Sequence, residues 1–126
     1  MILLKSFNQA LDEFEKALQQ PAQQELIKAG CIQYFEFSFE LAWKTIKELS
    51  EYYGILTVLS PMSALKEAFR QQWIDDEQIW LDMLKARNRM VHTYDAKSAL
   101  DIYELLPLYF NKMNELAKTI TKQFKE

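Results

Sequence analysis

The stretch Gln23–Tyr53, QQELIKAGCIQYFEFSFELAWKTIKELSEYY, decides the fold. Ile32, Phe35, Phe39, Ala42, Ile46, Leu49 and Tyr53 recur three and four apart, the spacing that keeps side chains on one face of an α-helix and packs helix against helix. Gly54 follows at once and supplies a C-terminal cap, because glycine accepts the left-handed backbone that ends helices. A second apolar stripe, Leu26, Gly30, Tyr34, Phe37 and Leu41, lies about 140° round the same helix at 3.6 residues per turn. Glu36, Glu40, Lys47 and Glu51 occupy a wet face between the two. Such a helix is either buried on both sides within one chain or uses its second stripe to meet another subunit, and the second arrangement is the expectation taken forward.

Outward from this helix the pattern stays helical. Phe7, Leu11, Phe14 and Leu18 predict a first helix over Ser6–Gln19, which Pro21 breaks. Ser60 followed by Pro61 is a cap with proline at the first helical position, so a short helix starts there, carries Leu65 and Phe69 inward and ends near Trp73. Asp75–Gln78 resembles a capping box and opens the next helix, which frays near His92. A last helix over Lys97–Phe124 carries Ala99, Tyr103, Leu106, Phe110, Met113, Ala117, Ile120 and Phe124, with Pro107 inside it as a source of a kink. No strand pattern occurs, so the expected fold is all-α: an up-and-down four-helix bundle with one additional short helix, dimerising, as a single domain over residues 1–126.

Composition agrees. Two glycines and three prolines in 126 residues leave few turns, and 49% hydrophobic content gives the helices wide apolar faces. A net charge of −3 excludes broad electrostatic capture of nucleic acid, leaving only local contact. The single cysteine, Cys31, excludes an internal disulfide, suits a reducing compartment and reads as core, with no basic group placed to activate it. The apolar opening MILLKSF is too short for a signal peptide and no run suits a membrane span, so a cytoplasmic protein with no membrane partner is expected. The glycines are too few for a phosphate loop, and one histidine with one cysteine gives no zinc site, so neither cofactor nor metal is expected.

The chemistry concentrates in WLDMLKARNRMVHTYD, Trp80–Asp95. As a helix, Trp80, Met83, Leu84, Arg87 and Val91 share one face, four of them large and apolar. A guanidinium on such a face needs a partner. Arg89 points the other way, among Asp82 and Lys85, and reads as surface. Arg87 either salt-bridges a buried or half-buried glutamate or holds a phosphate by two parallel hydrogen bonds. In the second case His92, the only histidine, can exchange a proton near neutral pH. Cleavage of RNA through the 2′-hydroxyl needs both an acid and a base, and two chains meeting at a two-fold axis supply two histidines.

RNRMVHTY, Arg87–Tyr94, resembles the Arg-x4-His-x-Tyr motif of HEPN-domain proteins, the helical partners of minimal nucleotidyltransferases. IQYFEFSFELAWKTIKE (Ile32–Glu48), SPMSALKEAF (Ser60–Phe69) and WLDMLKARN (Trp80–Asn88) resemble the branch described as nucleotidyltransferase substrate-binding proteins. The resemblance covers nearly the whole chain. It implies a homodimer that pairs two copies of the motif, a cognate small nucleotidyltransferase as partner in a toxin–antitoxin pair, and RNA or a nucleotide as ligand. It also implies metal-independent endoribonuclease activity, with Arg87 and His92 catalytic, Asn88 supporting the substrate side, and Tyr94 accepting AMP from the partner, which silences the site. The competing reading is a non-catalytic subunit that presents a nucleotide or acceptor to the nucleotidyltransferase, with Arg87 binding phosphate only.

Overall fold

The computed structural model describes residues 1–21, 25–92 and 96–123, without the side chains at 25, 91, 92 and 96. Among them are five helices: α1 Ile2–Leu18, α2 Glu25–Tyr52, α3 Pro61–Arg70, α4 Glu77–His92 and α5 Ala96–Gln123. The expected all-helical bundle with one short extra helix is what forms. No helix among the described residues is long and apolar enough to cross a membrane.

α2 is the axis. Ile32, Phe35, Phe39, Ala42, Ile46 and Leu49 are all buried, as their spacing predicts. Tyr53 is not part of that seam: it is 47% exposed, because the helix closes at Tyr52 and the chain turns. The closure is a Schellman motif: the Ile55 N–H donates to Ser50 O at 2.8 Å and the Gly54 N–H to Glu51 O at 2.9 Å, with Gly54 at φ 81°. The Tyr53 hydroxyl instead meets Gln123 Oε1 at 3.0 Å, so the ends of α2 and α5 lie together and the two helices run in the same direction.

α1 packs along the side of α2 that carries Cys31, Ser38 and Thr45, three small residues seven apart that are all buried. The Cys31 thiol lies 3.4 Å from Ala17 O, and its burial pushes its pKa up, so it is core rather than nucleophile. α1 starts at Ile2, ahead of the predicted Ser6, because Leu4 extends the Phe7, Leu11, Phe14 stripe by one more turn against the core. Phe14 then meets Phe110 of α5 edge-on at 5.6 Å.

α5 runs unbroken past Pro107. Its buried residues are Ala99, Ile102, Leu106, Tyr109, Met113, Leu116, Ala117 and Ile120, while Tyr103 and Phe110 are only half-buried. The predicted seam was therefore right at every seventh position and one residue late at Tyr103 and Phe110. The cause is that α5 is wedged between neighbours on two sides, so Tyr109 stacks on Phe35 at 5.4 Å while Phe110 turns to α1.

α3 begins at the predicted Ser60–Pro61. The Ser60 hydroxyl accepts from the Ser63 N–H and the Ser63 hydroxyl accepts from the Ser60 N–H at 2.9 Å, a capping box with serine in the reciprocal place. It buries Ala64, Leu65 and Ala68 and leaves Phe69 44% exposed, against expectation. Phe69 lies about a quarter turn from the centre of that small-residue face. α3 ends at Arg70 in a second Schellman closure, Trp73 N–H to Ala68 O at 2.9 Å and Gln72 N–H to Phe69 O at 3.0 Å, which carries Gln72 into the left-handed region at φ 65°. Trp73 and Ile74 are buried and anchor the connection to α4. The cap of α4 is Asp76, one residue after the predicted Asp75, its carboxylate accepting from the Ile79 N–H at 3.3 Å. Lys66 of α3 pairs with Glu77 of α4 at 3.1 Å.

A non-glycine side chain at the φ of Gln72 carries strain, whereas glycine does not. Gln72→Gly is expected to stabilise the protein by about 0.5–1 kcal/mol, after the greater freedom of glycine in the unfolded chain is counted. Urea unfolding checks this: the midpoint rises with an unchanged slope, and Gln72→Val lowers it.

Candidate functional site

α4 is held by its apolar face. Trp80, Met83, Leu84, Ala86 and Met90 are buried, and the Trp80 ring lies 6.4 Å from Phe39 of α2. Arg87 belongs to this face near the end of α4, where it borders the polar flank of α2. Its side chain retains 26% exposure. Nη2 donates to Glu40 Oε2 at 2.8 Å and Nη1 donates to the side-chain oxygen of Asn88 at 3.0 Å. The partner that the sequence demanded for Arg87 is therefore Glu40, half-buried on the face read as wet.

Glu40 is itself held. Lys44, one turn further along α2, lies 3.8 Å from Oε1. Glu36, one turn before, is pushed above the ordinary carboxylate value by burial, an effect that the positive charge of Arg87 partly offsets. The cluster thus has two carboxylates and two cations on adjoining helices, with the guanidinium fixed at two of its nitrogens. An arginine has five N–H donors, and two are used, so its remaining donors can meet an anion without dismantling the clamp. Sequence reasoning placed Arg87 and Asn88 here; it missed Glu40, Lys44 and Glu36 as neighbours. The available signal was their spacing of four on α2, which puts all three on one side.

The backbone of His92 is the last helical residue of α4. The side chains of Val91 and His92, and Tyr94 and Phe124 altogether, lie outside the described residues. Arg89 is exposed, as expected, and lines a groove between α4 and α5. The second stripe of α2 is open at Leu26, 79% exposed, and Phe37, 53% exposed, while Tyr34 and Leu41 are half-buried against the core. Leu26 and Phe37, together with Gly30, Gln33 and Tyr34, line a shallow hollow. A β-carbon at Gly30 meets nothing within 4 Å, so no contact among the described residues requires a glycine there. Around α2, Phe37 is about 60° from Glu40, and the open stripe thus runs beside the Arg87 cluster.

Comparison with known proteins matches this architecture. Residues 3–122 match the family described as nucleotidyltransferase substrate binding protein like. The chain belongs to that family. Among its relatives, a Haemophilus influenzae protein named as probable ribonuclease HepT is 34% identical over 84 residues, 64% of this chain. The match spans 58% of that relative's length. Among solved structures, HI0074 from Haemophilus influenzae, described as revealing the fold of a substrate binding domain of a nucleotidyltransferase, superposes with a TM-score of 0.82 at 26% identity. The alignment covers 94% of this chain and 98% of that one. A protein from Thermus thermophilus gives 0.79 at 26% identity, covering 87% and 94%.

The raised pKa of Glu36 has a definite sign in stability. The native protein keeps the Glu36 proton to a higher pH than the unfolded chain, so folding takes up a proton between the two values and this contribution fades as pH rises through them. Glu36→Gln is expected to stabilise the protein at pH 7 relative to the unsubstituted chain, with the gain shrinking as pH falls toward the ordinary carboxylate range. Thermal melts across pH 4–8 test this, and a gain independent of pH contradicts it.

Proposed function

We propose that residues 1–126 act as one HEPN-type unit, a metal-independent endoribonuclease that works with a small nucleotidyltransferase and is silenced by it. The observation that carries this reading is Arg87: a guanidinium clamped by Glu40 and Asn88 at the edge of an open apolar stripe, with donors to spare. The likeness to a relative named as probable ribonuclease supports it.

The chemistry needs more than one chain supplies. Positions 87 and 92 stand about 140° apart around a helix, and each chain has one histidine. Two copies docked through the open stripe of α2 bring two arginines and two histidines together. One His92 takes the proton of a ribose 2′-hydroxyl, whose oxygen attacks the adjacent phosphorus. The bond from phosphorus to the 5′-oxygen breaks, the second His92 protonates that oxygen, and a 2′,3′-cyclic phosphate remains. Arg87 neutralises the charge that builds on the phosphoryl oxygens, and Asn88 supports the substrate side. Silencing follows when the nucleotidyltransferase transfers AMP from ATP to the Tyr94 phenol, with pyrophosphate as leaving group, which adds bulk and negative charge beside the site.

A second reading is a non-catalytic subunit that binds a nucleotide or acceptor for the nucleotidyltransferase. The description of HI0074 as a substrate-binding domain favours it. Both readings use the same arginine, so activity separates them.

Three expected outcomes test these readings. In sedimentation the chain runs at twice its 15.0 kDa mass, and Phe37→Glu, a charge in the open stripe, shifts it to monomer. A monomeric unsubstituted chain removes the two-histidine site. In an RNA cleavage assay Arg87→Ala loses about 10²–10³ in rate, Arg87→Lys recovers part of it, and His92→Ala abolishes cleavage while RNA binding persists. Lys118→Ala, exposed and remote on α5, changes neither. Incubation with the cognate nucleotidyltransferase and ATP adds AMP to Tyr94; modification of Tyr103 or Tyr109 instead refutes that assignment. If the unsubstituted protein cleaves nothing and Arg87→Ala loses nucleotide binding, the substrate-binding reading stands.

A further inference from the structure

On the opposite flank of α4 from Arg87 a groove of about 230 Å³ separates α4 from α5. Its floor is Tyr109, only 3% exposed, whose ring is fixed against Phe35. The Tyr109 hydroxyl lies close enough to Asp82 and Arg89 for both charges to act on it, and Tyr109 lines the groove. Four charged side chains line the rim, Asp82 and Lys85 with Arg89 from α4 and Asp101 from α5. Asp82 accepts from Gln78 at 2.9 Å. Lys85, Arg89 and Asp101 form no ion pair with one another. The remaining wall, Ala86, Ile102 and Leu105, is apolar.

Opposite charges held apart across a narrow apolar slot, beside the Tyr109 ring, form a site whose charged groups stand open to a ligand. What completes them is a ligand with a planar apolar body, several hydroxyls or N–H groups and an anionic end. We propose that this groove is a mononucleotide subsite: a nucleobase lies between Ala86 and Leu105 over Tyr109, Arg89 and Lys85 hold the phosphate, and Asp101 and Asp82 accept from ribose hydroxyls or base N–H groups. The volume of about 230 Å³ is below the about 300–1,000 Å³ of pockets that enclose drug-sized ligands, so the groove takes the base and leaves the ribose and phosphate at its charged rim. This rests on and deepens the reading of the protein as one that handles RNA or nucleotides, by adding a base-recognition site on the far flank of the helix that carries Arg87. Arg89 is then a ligand-binding residue rather than plain surface.

The test is a titration of the 126-residue protein with AMP, adenosine and inorganic phosphate, followed by methyl resonances of Ala86, Ile102 and Leu105. AMP shifts these methyls and binds more tightly than either fragment. Arg89→Ala weakens AMP about tenfold by removing a charge-assisted contact. Tyr109→Phe weakens it about threefold while leaving the stack on Phe35, and melting curves show that both variants are folded. Three results overturn the subsite. The first is shifts confined to the neighbourhood of Arg87 and Glu40, with both variants binding as the unsubstituted protein does; this leaves the proposed role of Arg87 intact. The second is phosphate alone binding as tightly as AMP. The third is no shift anywhere at millimolar AMP, which does not touch the ribonuclease reading, since cleavage of a strand does not require capture of a free mononucleotide.

Discussion

The structure depends on the burial of one face of α2 from Ile32 to Leu49, against every other helix in turn. Phe39 meets Trp80 of α4, Phe35 meets Tyr109 of α5, and the small residues Cys31, Ser38 and Thr45 admit α1 at close range. Dispersion and the hydrophobic effect act through that seam without direction, so direction has to come from the fitting of large rings against small residues. The alternation of the two along α2 fixes which helix lies on which side, and through that the position of α4.

The Arg87 cluster is a consequence of that packing. A long cationic side chain near the end of an otherwise apolar face is tolerated because α2 presents Glu40 where the face runs out. Partly exposed ion pairs contribute little to stability, so the value of this one lies in fixing the guanidinium. Two contacts from two different nitrogens leave the plane of the group little freedom, and ordering it beforehand lowers the entropy that binding an anion would otherwise cost. The Haemophilus influenzae and Thermus thermophilus structures carry this fold at 26% identity, so the packing survives extensive change in sequence.

Much of this was legible in the chain. The periodicity of α2, the Ser60–Pro61 start, Gly54 as a cap and the need of Arg87 for a partner all follow from local rules, and all appear in the structure. The departures share one cause, the number of neighbours. Periodicity gives the centre of an apolar face but not its width. α5, wedged between helices, buried Ile102 and Tyr109 where a single seam pointed to Tyr103 and Phe110. α3, touching the bundle by alanines, left Phe69 outside. Gln72 in a left-handed position gives no sequence signal at all, since a glycine is the residue that announces such a turn. At the site, Glu40 and Lys44 looked like solvated charges because their importance comes from α4, far away in sequence.

The rings Trp80, Phe39, Phe35 and Tyr109 follow one another at 6.4, 6.2 and 5.4 Å and cross from α4 through α2 to α5. A continuous aromatic file of this kind lets none of the three helices slide without breaking contacts in the other two. Amide protons along the middle of these helices therefore exchange with solvent only when the whole bundle opens, while those of the first turn of α1 and of the segment 55–59 exchange through local fraying. Tied through this file to α2 and α5, α4 presents its two flanks as a single rigid ruler between whatever binds on either side.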